Sequence, residues 1–215
     1  RIVTGLNSDI GLRRASNQDN ALAGHGIFVV CDGMGGGMGG ERASEAVVRH
    51  CAQLGTKAAR NRHDIEETLN AAQREVLALG ESLGGIAGTT ISGVIMPADI
   101  DDMTAHAADA NSIADGNDSC YIVNIGDSRT YHMCAAEDGG WDASTFARIT
   151  RDHSERQNAI DSGEMLPEEA LRNIPRNIIT QCIGAPNGIA PDYYAADAFG
   201  RFIICSDGLH AEVDK

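Results

Sequence analysis

Three short apolar runs in this chain each lead into an aspartate beside a glycine. Ile27 to Val30 passes through Cys31 into Asp32-Gly33, Cys120 to Ile125 runs into Gly126-Asp127-Ser128-Arg129, and Arg201 to Cys205 passes through Ser206 into Asp207-Gly208. A short apolar run bounded by turn residues reads as a buried strand, so each carboxylate sits where the chain leaves a strand. The glycines let main chain approach a ligand closely. Carboxylate and carbonyl oxygens are the ligands of hard divalent cations such as Mg²⁺ and Mn²⁺. One such turn is commonplace; three in one domain point to a shared metal site at one edge of a sheet. The glycine-rich stretch after Asp32 has competing readings. Gly35-x-Gly37-x-x-Gly40 formally matches a dinucleotide fingerprint, but Asp32 would repel a pyrophosphate and no acidic residue stands within three positions of 60. A phosphate-binding P-loop needs Lys-Ser/Thr after its last glycine, where this chain has Glu41-Arg42. Taken alone, the stretch is equally well a flexible turn whose aspartate caps something.

The composition narrows the setting. At 215 residues the chain makes one large domain or two small ones, and a 42% apolar share supports a packed core. The net charge of −14 argues against nucleic-acid or anionic-membrane binding, which needs a basic surface. It suits divalent metal binding, and a solvated acidic surface explains it equally. None of the six cysteines forms a Cys-x-x-Cys pair, which argues against a zinc site. Their scatter favours a reducing cytoplasm over a disulfide framework. No run of about eighteen apolar residues and no signal peptide is present. The chain starts at Arg1 rather than Met and reads as a piece of something longer.

The elements that would position these residues follow from pattern. Ile2 to Ser8 reads as a first strand or its lead-in, and Ser8 to Asn20 as a loop. Ala43, Ala46, Val47, His50, Cys51 and Leu54 recur at helical spacing after the glycine loop, with His50 a packed histidine. A second helix runs from about Asp64 to Ser82, with Asp64-x-x-Glu67 as its capping signal and Gly84-Gly85 as its stop. Gly88 to Met96 reads as one strand. Pro97 to Asp118, with six aspartates and no Lys or Arg, reads as a mobile acidic loop joining two antiparallel strands. Cys120 to Ile125 and Arg129 to Cys134 read as strands, and Trp141 to Ile149 leads toward another. Ser154 to Gly163 and Pro167 to Leu171 read as short helices, and Asn177 to Gly184 as a strand. Many strands with few helices, in separate runs, indicate α+β with largely antiparallel sheets.

In order along the chain, these motifs resemble the type 2C family of metal-dependent protein Ser/Thr phosphatases in its bacterial form. The blocks are Ser8-Asp9-x-Gly11-x-x-Arg14-x-x-Asn17-Gln18-Asp19, Asp32-Gly-Met-Gly-Gly36, Gly88-Thr-Thr90, Ile125-Gly-Asp-Ser-Arg129, Asp152-His-Ser154 and Cys205-Ser-Asp-Gly-Leu209. The resemblance implies a four-layer α-β-β-α sandwich of two mainly antiparallel sheets flanked by helices, with the metal centre at one end. It implies that Asp32 bridges two Mn²⁺ or Mg²⁺ ions with the Gly33 carbonyl on the second. Asp207 would then ligate the first ion, and Asp127 would help hold a third, weaker one. Arg14 resembles the arginine that binds substrate phosphate, and Asp19 an outer-shell acceptor for metal-bound water. Met34 stands where some relatives carry a proton-donating histidine. Ser154 to about Gly184 resembles the flap beside the active site, with His153 as a structural or outer-shell residue.

Two departures stand out. Gln18 occupies the position of a glutamate that ligates the second metal; its carbonyl can coordinate, but without charge. The chain also stops at Lys215, before the family's closing Asp-Asn segment, so residues 1–215 read as a single phosphatase domain lacking that segment. Asp214 is too close to Asp207 to replace its ligand and reads as a helix cap. The expected activity is hydrolysis of phosphoserine and phosphothreonine by a monomer acting on phosphorylated proteins, Ser/Thr protein kinases among them. No nucleic acid and no direct membrane contact are expected. The alternatives are a weak or inactive pseudophosphatase that signals by binding, favoured by Gln18 and the missing tail, and an acidic metal-binding domain without phosphate chemistry, which Arg14 argues against.

Overall fold

The computed structural model describes residues 2–12, 14–35, 38–98 and 119–213. The expectations for Gly36, for most of the acidic stretch (99–118) and for Asp214 fall outside these residues. The strands are β1 (Asn20–Gly24), β2 (Ile27–Cys31), β3 (Gly33–Gly35), β4 (Ala87–Thr89), β5 (Ile91–Ile95), β6 (Ser119–Ile125), β7 (Arg129–Met133), β8 (Ala147–Arg148), β9 (Asp192–Asp197) and β10 (Arg201–Cys205). The helices are α1 (Gly39–Leu54), α2 (Arg62–Ser82), α3 (Glu155–Asp161), α4 (Pro167–Asn173) and α5 (Asp207–Val213), with a 3₁₀ turn at Ala143–Thr145. Among the described residues no helix is long and apolar enough to cross a membrane.

All strand pairs are antiparallel. A five-stranded sheet runs β1-β2-β5-β6-β9, a three-stranded sheet runs β10-β7-β8, and β3 pairs with β4 in a short ribbon. The core forms two layers. Ile27, Val29, Cys31, Ile91, Ile95, Val123 and Ile125 pack against α1 and α2 through Val47, Cys51, Ile65, Leu69 and Val76. On the opposite face Val94, Met96, Cys120 and Ile122 meet Phe28, Phe202 and Ile204. The central strands are therefore buried on both faces, which is why they read as nearly continuous apolar runs. Two antiparallel sheets with helices packed on them give the α+β class expected.

Several boundaries differ from the expectation. Ile2 to Ser8 forms no strand; it is exposed and finds no sheet partner among the described residues. The expected strand 88–96 is two, broken at Thr90, and they join different sheets. Asn177 to Gly184 is not a strand but touches others through single bridges, Ser154 with Ile179 and Thr89 with Ile183. The cap of α2 is Asn61, which accepts from the Asp64 N–H at 3.0 Å while Asp64 accepts from the Asn61 N–H at 2.9 Å. The buried Arg60 guanidinium donates to the carbonyls of Leu54, Gly55, Met96 and Ala98, pinning the end of α1 to the end of β5.

Candidate metal centre

The three strand-end aspartates converge, but between sheets rather than at the edge of one. β2 and β6 belong to the five-stranded sheet, and β10 to the three-stranded sheet. Asp32 is fixed through its main chain. Its N–H donates to Thr90 Oγ1 at 2.9 Å, and its carbonyl accepts from the Thr90 N–H and from Thr89 Oγ1, both at 2.9 Å. Thr90 Oγ1 also bonds Ser128 Oγ at 2.7 Å, which ties the Asp32 turn to the residue after Asp127. The break at Thr90 thus has a local function: it turns both threonine groups toward Asp32.

Asp32 is held protonated up to about 8, first by burial, then by the charges of Asp19, Asp207 and Asp127, and by a hydrogen bond with Asp19. Asp127 is pushed up to about 6 by burial, Asp207 and Asp152, with Arg129 pulling the other way. Asp19 is anchored from the far end of the chain, where Ser206 Oγ donates to its Oδ2 at 2.7 Å. The Asp127 carbonyl accepts from His210 Nε2–H at 3.0 Å. Arg129 clasps Asp152 through two nitrogens, Nε to Oδ1 at 3.0 Å and a terminal nitrogen to Oδ2 at 2.8 Å.

Gly33 and Gln18 lie against the start of α1. A Cβ on Gly33 would stand 2.3 Å from the Gly40 carbonyl oxygen and 2.4 Å from that of Gln18, so only glycine lets these three segments meet. Gln18 Oε1 faces Gly40, and its carbonyl accepts from Ser44 Oγ at 2.6 Å. Arg14 is exposed and makes no hydrogen bond or ion pair among the described residues. Asp19, Asp32, Asp127 and Asp207 are therefore brought into one electrostatic cluster with Gly33 and Gln18 nearby, and Arg14 is not. Among the described residues no three carboxylate, His or Cys side chains converge closely enough to enclose a cation by themselves. The donor set still fits Mg²⁺ or Mn²⁺, which is commonly held by one or two carboxylates with carbonyls and water. Half-buried carboxylates such as Asp32 and Asp127, whose pKa values neighbouring acids raise, lack the positive charge that would let all of them ionise.

Sequence reasoning assigned no role to Thr89, Thr90, Ser128, Ser206 or His210. For the four hydroxyl residues the signal was their place in the same motif blocks, but a hydroxyl in a β-branched run reads first as strand; His210 lies one residue past the last block.

No protein-family profile matches the chain. It is 30% identical over 204 residues to the serine/threonine protein phosphatase PstP of Mycobacterium tuberculosis (94% of this chain, 35% of that protein). It therefore spans about a third of that relative's length. It is 28% identical over 218 residues to a putative protein phosphatase 2C-type of Streptococcus pyogenes, covering 95% of this chain and 77% of that one. Among solved structures, the M. tuberculosis phosphatase PstP/Ppp superposes with a TM-score of 0.75 at 26% identity, over 95% of this chain and 77% of that one. The catalytic domain of PstP in complex with two manganese ions superposes with a TM-score of 0.72 at 26% identity, over 95% and 76%. Over nearly its whole length the chain is thus similar to bacterial serine/threonine phosphatases of the 2C type, and it shares their fold.

Proposed function

We propose that this domain hydrolyses phosphoserine and phosphothreonine esters in proteins with two Mn²⁺ or Mg²⁺ ions, and a third held more weakly. The observation that carries the reading is the Asp32 environment: a half-buried carboxylate facing Asp19, Asp127 and Asp207, gathered from positions 19 to 207. The manganese-bound relative supports the choice of ion. Asp32, the Gly33 carbonyl and Asp207 would hold the two ions, with the uncharged Gln18 carbonyl completing the second site. Asp127 would hold the third. Bound ions supply Lewis-acid charge and lower the pKa of water.

The chain's own groups do the rest. Thr89 and Thr90 keep Asp32 from turning. Asp19, steadied by Ser206, accepts a hydrogen bond from water and orients it for in-line attack on phosphorus. The exposed Arg14 guanidinium has the fork geometry to take two phosphoryl oxygens. No side chain forms a covalent bond to the substrate. We place the activity in the bacterial cytoplasm, in a monomer that opposes Ser/Thr protein kinases and binds neither nucleic acid nor membrane directly.

The test is hydrolysis of p-nitrophenyl phosphate and of a phosphothreonine peptide across a Mn²⁺ series, with Asp32→Ala beside the natural chain. Mn²⁺-dependent turnover that Asp32→Ala removes is the expected result. No turnover at any metal level, by a folded protein, would overturn the reading. Arg14→Ala should raise KM for both esters and leave Mn²⁺ binding unchanged.

A further inference from the structure

His153 is 5% exposed and surrounded by groups that use every polar atom it has. Its main-chain N–H donates to the Gly126 carbonyl at 2.9 Å, and its carbonyl accepts from the Thr180 N–H at 2.8 Å. The ring is held at both nitrogens. The Gly126 N–H points at Nδ1 at 3.3 Å, and Nε2 lies 3.0 Å from Asp192 Oδ2. A main-chain N–H can only donate, so Nδ1 is the acceptor and the proton sits on Nε2, facing the carboxylate. Asp192 is itself held by the Tyr194 hydroxyl at 3.0 Å, and that oxygen accepts from the Arg151 N–H at 3.2 Å.

The residue held this way is the one before Asp127. Gly126 has φ +103°, and a Cβ there would lie 2.5 Å from Thr90 Cγ2. The turn is thus clamped between Thr90 on one side and the His153 ring on the other, with its N–H and C=O both bonded to one residue. The same neighbouring segment meets both aspartate turns: Thr180 bonds His153, and Ile183 pairs with Thr89, whose hydroxyl holds the Asp32 carbonyl.

We propose that His153, oriented by Asp192, is a positioning residue that sets the Gly126-Asp127 turn for cation binding. The inference rests on the metal-centre reading above. Partners one shell behind a ligand commonly change metal affinity by ten- to a hundredfold when removed.

His153→Asn keeps an acceptor at the Nδ1 position and gives up Asp192; His153→Gln reaches toward Asp192 and gives up that acceptor. Mn²⁺ titration calorimetry, thermal melts and the Mn²⁺ dependence of p-nitrophenyl phosphate turnover are measured on both. His153→Gln should weaken Mn²⁺ binding about tenfold, while His153→Asn stays within about threefold of the natural chain. Natural affinity in both variants overturns the proposal. So does an equal loss in both that tracks their loss of Tm, since a merely structural role predicts that pattern. If either variant fails to fold, Asp192→Ala frees the ring on one side only, and an unchanged Mn²⁺ affinity there overturns the proposal as well. A natural chain that binds Mn²⁺ yet hydrolyses no phosphate ester sinks the phosphatase reading while calorimetry still decides this one. A natural chain that binds no Mn²⁺ overturns both.

Discussion

A carboxylic acid that keeps its proton to about pH 8, as Asp32 does, must surrender that proton before it can ligate a cation. Mn²⁺ binding near pH 7 should therefore release about one proton per chain, read as a buffer-dependent heat in calorimetry, and the release should vanish well above pH 8. The same group sets a pH dependence of stability without metal. Its folded pKa lies above its unfolded one, so its contribution is fully present below about pH 4 and is lost as pH rises toward 8. Asp127 adds a narrower window that closes near pH 6. Melts of the metal-free protein should fall from pH 5 to pH 8, and Asp32→Asn should flatten that slope; a natural chain with flat melts would contradict the burial of Asp32. At Gln18, a carbonyl without charge makes a weaker ligand than a carboxylate. Gln18→Glu should tighten the weaker of two Mn²⁺ sites several-fold by calorimetry, and two equally tight sites in the natural chain would sink the idea.

Among the elements, the junctions carry more of the site than the strands do. Gly33 separates β2 from the start of α1 with main-chain oxygens on both sides of its missing side chain. Gly33→Ala should cost about 2–4 kcal/mol in urea melts, because neither neighbour is a flexible side chain that can move away. Thr90→Val keeps the shape and removes the hydroxyl shared by Asp32 and Ser128. It should cost about 1–3 kcal/mol and, paired with Ser128→Ala in a double-mutant cycle, prove non-additive. These junctions also mark where sequence reading stops. The aspartate turns were legible because an acid after an apolar run is a local pattern. Both helices were legible because their period is local too. The Thr90 N-side partner comes from 58 positions away and the Asp19 partner from 187, distances over which no residue pattern registers. The edge strands β1, Asn-Ala-Leu-Ala-Gly, and β9, Asp-Tyr-Tyr-Ala-Ala-Asp, show no strong alternation, so pairing rather than propensity makes them strands. The stretch 177–184 has β-branched residues yet, among the described residues, pairs only through single bridges, because its groups are spent on His153 and Thr89.

At the scale of the molecule, a net charge of −14 and a carboxylate cluster between two sheets would make a bound divalent ion stabilising. Mn²⁺ at about a hundred times its Kd should stabilise by about 2.7 kcal/mol. For a chain of this size that is roughly 5–10 °C in Tm, and the gain should be absent from Asp32→Ala. The contact between Ser206 and Asp19 has a different consequence, one of timing. Ribosomes add about 5–20 residues per second, so the hydroxyl that steadies Asp19 leaves the exit tunnel on the order of ten to forty seconds after its partner, 187 residues later. Until then β10 cannot pair with β7 and Asp207 is not in place, so the nascent chain carries Asp19, Asp32 and Asp127 without the fourth acid. The cluster around Asp32 thus gains its fourth acid only when β10, made late, pairs with β7 and brings Ser206 to the loop that holds Asp19.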